Sequence, residues 1–258
     1  MLKTTAAMFG VNVQLVVQDQ SEYVNFTNKI FVMQKIIEPI PDDDIVCFID
    51  AYDVLINGQT DEILRKFLAH RSEIVLSAEL NSYPEGYDHV YPATGSKTNY
   101  RYVNSGGYIG YKRALTKIFD WQNQEAIHQI CSHGGDQHYF IQYYLSHANL
   151  ENEHLSIKPY RHIRLDTEAA IFQSMFKTNW SEFDFIGGRV YNRAIKQQAC
   201  FLHFNGASWK LEAKSEPYDN IMPVFVEKMM LTKMGGVVTD LAGWRRCTWP
   251  NGEVCNSI

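Results

Sequence analysis

Ile45-Val-Cys-Phe-Ile49, followed at once by Asp50-Ala-Tyr-Asp53, is the stretch on which the fold turns. An uninterrupted apolar run of this length, rich in β-branched and aromatic residues, reads as a strand covered on both faces; a half-exposed strand would alternate apolar with polar residues. The two carboxylates just past it fall where open α/β sheets bind ligands, outside the carboxyl ends of the strands. From such a turn both can reach one hard divalent cation and leave coordination positions for phosphate oxygens. The plainer alternative is an Asx turn at Asp50 and a solvated Asp53.

Working outward, Val13–Val17 and Ile74–Ser77 are further apolar runs expected to form strands. Phe26–Ile37 and Thr60–His70 carry apolar residues at three- and four-residue spacing, with Asp61 and Glu62 placed where a helix N-terminus favours negative charge. Tyr102–Tyr111 reads as an extended segment around a glycine pair, and Asp136–Leu145 as an aromatic helix. Strand and helix alternate, which predicts an α/β fold: one mainly parallel twisted sheet flanked by helices. No repeat or low-complexity linker interrupts residues 1–258, so a single domain is expected, with 236–258 as a C-terminal tail.

The net charge of -5, with acidic and basic residues interleaved, supplies no basic face for a polyanion, and nucleic acid is set aside as a substrate. No apolar stretch is long enough for a membrane-spanning helix, and the first residues lack the grading of a signal peptide. The five cysteines cannot all pair within one molecule. Cys47 and Cys200 lie in apolar runs and are expected in the core, whereas Cys247 and Cys255 could bridge in an oxidising compartment or stay reduced.

Three further constellations stand out. In Asn104-Ser-Gly-Gly107 the glycines permit positive φ and close approach of a ligand, while Asn104 and Ser105 offer hydrogen bonds to sugar hydroxyls; an ordinary turn is the alternative. Gly134-Gly-Asp136-Gln137 puts a carboxylate at a helix start, where capping alone would explain it. His203-Phe-Asn-Gly206 follows the apolar Ala199–Leu202 and leads to Lys210. Its imidazole can complete a metal shell begun by carboxylates, and the lysine can neutralise a diphosphate, although a histidine after a strand is more often structural.

In this order the motifs resemble the glycosyltransferase domain of the collagen lysyl hydroxylases (procollagen galactosyl-hydroxylysine glucosyltransferases) and of their viral relatives. The similarity runs from Leu2 to about Lys210. It rests on Phe48-Ile-Asp-Ala-Tyr-Asp-Val54, Leu76-Ser-Ala-Glu79, Tyr83-Pro84, Asn104-Ser-Gly-Gly-Tyr-Ile-Gly110, Asp136-Gln137, Leu165-Asp166, Ile171-Phe-Gln173 and His203-Phe-Asn-Gly206. The resemblance implies a GT-A fold and a UDP-sugar donor. It also implies Mn²⁺, or Mg²⁺, held by Asp50, Asp53 and His203.

The activity it implies is transfer of glucose from UDP-glucose to galactosyl-hydroxylysine of a collagen-like polypeptide, with retention. The alternatives are galactose transfer from UDP-galactose to hydroxylysine, or a catalytically weak glycan- or collagen-binding module. By the same resemblance Asp136 and Asn104 serve catalysis. Lys29, Asp50, Ser105, Gly106, Gly206 and Lys210 meet the donor, and Tyr83, Asp166, Gln173 and Asn205 meet the substrate sugars. A homodimer is compatible with it, as is action in the endoplasmic reticulum lumen or, for a viral relative, in an infected host cell.

Three departures accompany the match. Tyr83 stands where the family has tryptophan, and Gly134 and Gly135 stand where it has aspartates before Asp136. Leu2-Lys-Thr-Thr-Ala-Ala-Met-Phe-Gly10 matches the helix after the family's first strand. In-frame codons upstream are therefore expected to encode a short β-branched run.

Overall fold

A computed structural model describes residues 1–17, 27–92, 96–148, 161–206 and 221–235, and the backbone of 237–240 and 246–248. Its helices are α1 (Leu2–Phe9), α2 (Asn28–Ile37), α3 (Thr60–Ala69), α4 (Lys112–Phe119), α5 (Gln124–Cys131), α6 (Gly135–His147) and α7 (Ile221–Lys233). The strands are β1 (Ile45–Ile49), β2 (Val54–Ile56), β3 (Ser72–Glu79), β4 (Tyr102–Tyr111), β5 (Arg161–Leu165) and β6 (Phe172–Ser174). They continue with β7 (Phe183–Ile186), β8 (Arg189–Asn192), β9 (Phe201–His203), β10 (Val237–Asp240) and β11 (Arg246–Thr248). The chain divides into two compact units built from separated segments: 1–13, 50–63 and 168–258 in one, 14–49 and 64–167 in the other.

The second unit holds a four-stranded sheet in the order β1-β4-β3-β5. Because β1 and β3 both lie antiparallel to β4 while β5 is parallel to β3, three of the four strands run in one direction, as a mainly parallel sheet requires. The reversed strand β4 sits between β1 and β3, and the sequence gives no hint of it, since apolar periodicity carries no strand direction. Helices α4 and α6 pack on this sheet. Tyr108 of β4 stacks between Phe48 of β1 at 4.7 Å and Phe140 of α6 at 5.1 Å, centroid to centroid. Asn123 caps α5 by accepting from the Ala126 amide at 2.9 Å, satisfying one of the amides a helix start leaves open.

Two expectations need correcting here. Val13–Val17 forms no strand, and Leu15, Val16 and Val17 are exposed; among the described residues no neighbouring strand takes up its ladder, and β-branched composition favours extension without ensuring burial. β1 is an edge strand and only half-buried, so Cys47 is exposed rather than in the core. Cys200 is buried as expected. The side chains of Cys247 and Cys255 lie outside the described residues.

The first unit is built on a three-stranded sheet, β2-β9-β6, with hairpins β7–β8 and β10–β11. Its core gathers Leu55, Leu202 and Phe204 from the sheet region with Phe183, Phe185 and Phe225, and Trp180 packs against them. Each fully buried aromatic contributes roughly 2–3 kcal/mol of hydrophobic stabilisation. α1 docks on β2 through Thr5, whose buried hydroxyl accepts from the Ile56 amide at 3.0 Å and donates to the Leu2 carbonyl at 3.1 Å. Buried Asn57 ties the end of β2 to β8 and to the residues just before β9, donating to the carbonyls of Val190 and Ala199 at 2.9 and 2.7 Å and accepting from the Val190 amide at 2.7 Å. Among the described residues no helix is long and apolar enough to cross a membrane.

Candidate active site

The β2–β9 ladder brings together residues 145 to 149 positions apart. Val54 pairs with His203, and one step outward the Phe204 amide donates to the Asp53 carbonyl at 2.7 Å. On its other side His203 is opposite Ser174, and its carbonyl accepts from the Met175 amide at 2.8 Å. The histidine is therefore fixed from both sides by backbone pairing before its ring makes any contact. That ring points Nε2 at Asp53 Oδ2, 3.3 Å away, and at Asp50 Oδ2, 3.8 Å away. His203 is buried while the two carboxylates stay partly open to solvent.

Ligand atoms about 2.1 Å from a shared Mg²⁺- or Mn²⁺-like cation in octahedral geometry lie about 3 Å apart when adjacent. The three ligand atoms lie within 4.8 Å of one another, wider than that spacing, so a shared cation would draw them closer; two carboxylates with one imidazole are a donor set suited to it. The Asp53 carboxylate, partly open to solvent, thus faces an imidazole.

In the other unit, the glycine pair proves to be neither a turn nor a positive-φ site. Gly106 and Gly107 continue β4. The adjacent β3 residues Leu76 and Ser77 pair with Tyr108 and Asn104, so Ser105-Gly-Gly107 is bulged out of the β3–β4 register. Bulges of this kind re-aim side chains next to binding sites. Here the bulge begins at Asn104, whose Oδ1 accepts from the Gly106 amide at 3.1 Å.

Buried Glu79 organises what surrounds it. Its Oε1 accepts from Asn104 Nδ2 at 3.3 Å and from Gln137 Nε2 at 2.8 Å, and Gln137 Oε1 accepts from the Ser105 amide at 3.3 Å. Asp136 does not cap α6; the N-cap is Gly134, and no side chain caps the helix. Its buried carboxylate instead meets Lys29 Nζ at 3.0 Å, with that ammonium also 5.5 Å from the centre of the Phe48 ring. Sequence reading assigned no role to Glu79. The signal was a carboxylate ending the apolar or small run Ile74–Ala78.

Asp166 is wholly buried just past β5, its amide bonded to the Leu76 carbonyl at 2.8 Å and its carboxylate 3.3 Å from His70 Nε2. His70 is a second residue passed over in the sequence. In the first unit, buried Gln173 donates to the Ser174 carbonyl at 2.8 Å and accepts from Asn192 at 3.2 Å. Asn205 accepts from the Ser174 hydroxyl at 2.8 Å and the Phe176 amide at 3.2 Å, and Gly206 adopts φ +62 beside the Phe176 ring. Tyr83 is exposed. Lys210 lies outside the described residues.

The sheet flanked by helices and the D-x-x-D turn facing an imidazole agree with the glycosyltransferase class that the resemblance implies. A family model described as the PLOD GT domain matches residues 1–218, and the chain belongs to that family. The multifunctional procollagen lysine hydroxylase and glycosyltransferase LH3 of Homo sapiens is 29% identical over 192 residues, covering 73% of this chain and 24% of its own length. An uncharacterized protein of Acanthamoeba polyphaga mimivirus is 27% identical over 191 residues, covering 73% of this chain and 37% of its own. The chain thus spans about a quarter of the human relative and somewhat over a third of the viral one. Among solved structures, the galactosyltransferase LgtC with donor and acceptor sugar analogs aligns over 93% of this chain and 75% of its own, with a TM-score of 0.43 and 14% identity.

Proposed function

We propose that this chain transfers glucose from UDP-glucose to galactosyl-hydroxylysine of a collagen-like polypeptide, with retention at the anomeric carbon and dependence on Mn²⁺ or Mg²⁺. The observation that carries the reading is the convergence of Asp50, Asp53 and His203 in a member of this family. A divalent cation bound there supplies charge compensation for the diphosphate leaving group as the glycosidic bond breaks.

The chain's own groups do the rest. Asp50, Asp53 and His203 hold the cation, with His203 set by the ladder. Asp136, its carboxylate steadied by Lys29, orients the acceptor hydroxyl and stabilises positive charge developing on the sugar. Asn104, Ser105 and Gly106 on the bulge, with Asp166, Gln173, Asn205 and Gly206, contact donor or acceptor hydroxyls, and Tyr83 offers a ring to a sugar face. Lys210 meets the diphosphate. The human relative's name joins procollagen lysine hydroxylation to glycosyl transfer, which motivates a collagen-like acceptor. The setting that follows is the endoplasmic reticulum lumen or an infected host cell.

The test is UDP release with Mn²⁺ and either UDP-glucose or UDP-galactose, with and without a galactosyl-hydroxylysine peptide. UDP-glucose with the peptide is expected to turn over fastest, and Asp53→Ala to lower metal-dependent turnover by about 10³-fold, equivalent to the several kcal/mol a Lewis acid supplies. Faster turnover of UDP-galactose on bare hydroxylysine would replace the glucosyl reading. Silence with every donor would leave a binding module, and an unaffected Asp53→Ala variant would remove the metal site.

A further inference from the structure

Residues 81–91 leave the end of β3 without regular secondary structure, yet they are fastened to α6 at three points. Gln137 Nε2 donates to the Tyr83 carbonyl at 3.0 Å. Gly134 abuts the Pro84 ring so closely that a Cβ at 134 would lie 2.9 Å from it. The third point is a side-chain clasp: the Tyr87 hydroxyl lies 2.6 Å from His138 Nε2, and Gln142 Nε2 donates to the same hydroxyl at 2.9 Å.

The direction of the clasp follows from elementary donor counting. His138 Nδ1 is 2.7 Å from the Ile130 carbonyl, which can only accept, so in the neutral ring the proton sits on Nδ1 and Nε2 is left to accept from Tyr87. His138 is buried, and its ring also lies 5.2 Å from that of Tyr87. An exposed histidine would hold a partner loosely; this one is fixed at both nitrogens.

The fastened segment has work to do at the surface. It bears the exposed Tyr83 ring and forms a wall of an open cleft of about 450 Å³, lined by Asn81, Ser82, Glu85, Asp88 and Tyr102. An open, polar cleft on a segment that also carries an exposed aromatic ring suits a glycosylated peptide, because a ring can cover a sugar face and a polar wall can meet backbone and hydroxyl groups.

We propose that His138 is a positioning residue for the acceptor: through Tyr87 it holds the cleft wall and the Tyr83 ring in the geometry that receives the glycosylated peptide. The proposal rests on the transferase reading only for the identity of that peptide.

The test compares Tyr87→Phe, His138→Leu and His138→Gln in the full chain. Glutamine can still offer an oxygen to Tyr87, so it should rescue what leucine loses. Tyr87→Phe and His138→Leu are expected to weaken direct binding of a galactosyl-hydroxylysine peptide, followed by fluorescence titration without turnover, and to raise its KM by about fivefold, the value of one hydrogen bond. Peptide-free UDP release should stay within twofold, and amide exchange across 81–91 should quicken while β3 is unchanged. Equal peptide affinity in parent and both variants overturns the proposal, as does a parent chain that binds no peptide. Faster exchange without weaker binding makes the clasp a strut with no acceptor role and overturns it too. A parent that binds peptide but releases no UDP defeats the transferase reading while leaving the positioning role to be decided by affinity.

Discussion

The two units place their polar groups by different means. In the first, His203 is held by backbone pairing to Val54 on one side and Ser174 on the other, so the ladder sets where the ring stands. In the second, Asn104, Gln137 and Asp136 are held by other side chains, Glu79 and Lys29 above all. A ladder shares its load over many hydrogen bonds and tolerates change in any one side chain. A network centred on a single carboxylate tolerates less, because removing that group takes an acceptor from every donor it served.

The largest loss of stability is therefore expected at Glu79. Glu79→Ala takes an acceptor from the buried Asn104 amide, at a cost of about 1–3 kcal/mol, and leaves part-buried Gln137 only the Tyr83 carbonyl to hold it. Chemical denaturation should show a loss of roughly 1–3 kcal/mol, with sugar transfer down about 30-fold or more. Glu79→Gln retains a carbonyl oxygen and should recover much of the stability. A Glu79→Ala chain matching its parent in both measurements would erase the contrast between the units.

A smaller effect of the same kind appears with acid. Glu73, buried at the start of β3, accepts from His162 Nδ1 at 2.9 Å, and that ring's other nitrogen meets the Tyr143 hydroxyl at 2.7 Å. The hydrogen bond from His162 holds the Glu73 carboxyl below its ordinary 4.5, against burial, which acts to raise it; the charges of His162, Lys117 and Arg113 add to the lowering. A carboxyl whose folded value is depressed contributes stability that is complete above its unfolded value and lost as pH falls through the folded one. Urea midpoints should thus drop below about pH 4.5, and Glu73→Gln should flatten that drop. Amide exchange during the acid loss should rise in β3 before β9, and the reverse order would count against a network-held second unit.

How much of this the sequence disclosed follows the same division. β4 was legible to its end residues, Tyr102 and Tyr111, and the Asp50–Asp53 turn was legible because a short apolar run ends abruptly in carboxylates. That His203 would stand beside Asp53 was not legible, since no local pattern announces that Val54 will pair with it. The reversed direction of β4 and the bulge at Ser105-Gly-Gly107 were invisible because both depend on which strands become neighbours. Glu79, His70 and His138 were missed for a related reason: each acts on a partner distant in sequence, and a charge or ring considered alone looks like any other. The exposure of Val17 and Cys47 reflects the same limit, because burial belongs to the neighbours a residue acquires.

The smallest expected effect tests the ladder itself. Leu202 precedes His203 on the central strand β9, is fully buried, and pairs with Leu55 and Gln173. Leu202→Val removes one methylene and keeps a residue that favours strands, so stability should fall by about 1 kcal/mol. If backbone pairing alone places His203, Mn²⁺ affinity measured by titration should stay within about twofold, because the Val54 and Ser174 partners of His203 are untouched. A tenfold loss of affinity at that modest cost in stability would mean that core packing, rather than the ladder, aims the imidazole. The first unit would then depend on individual side chains as closely as the second.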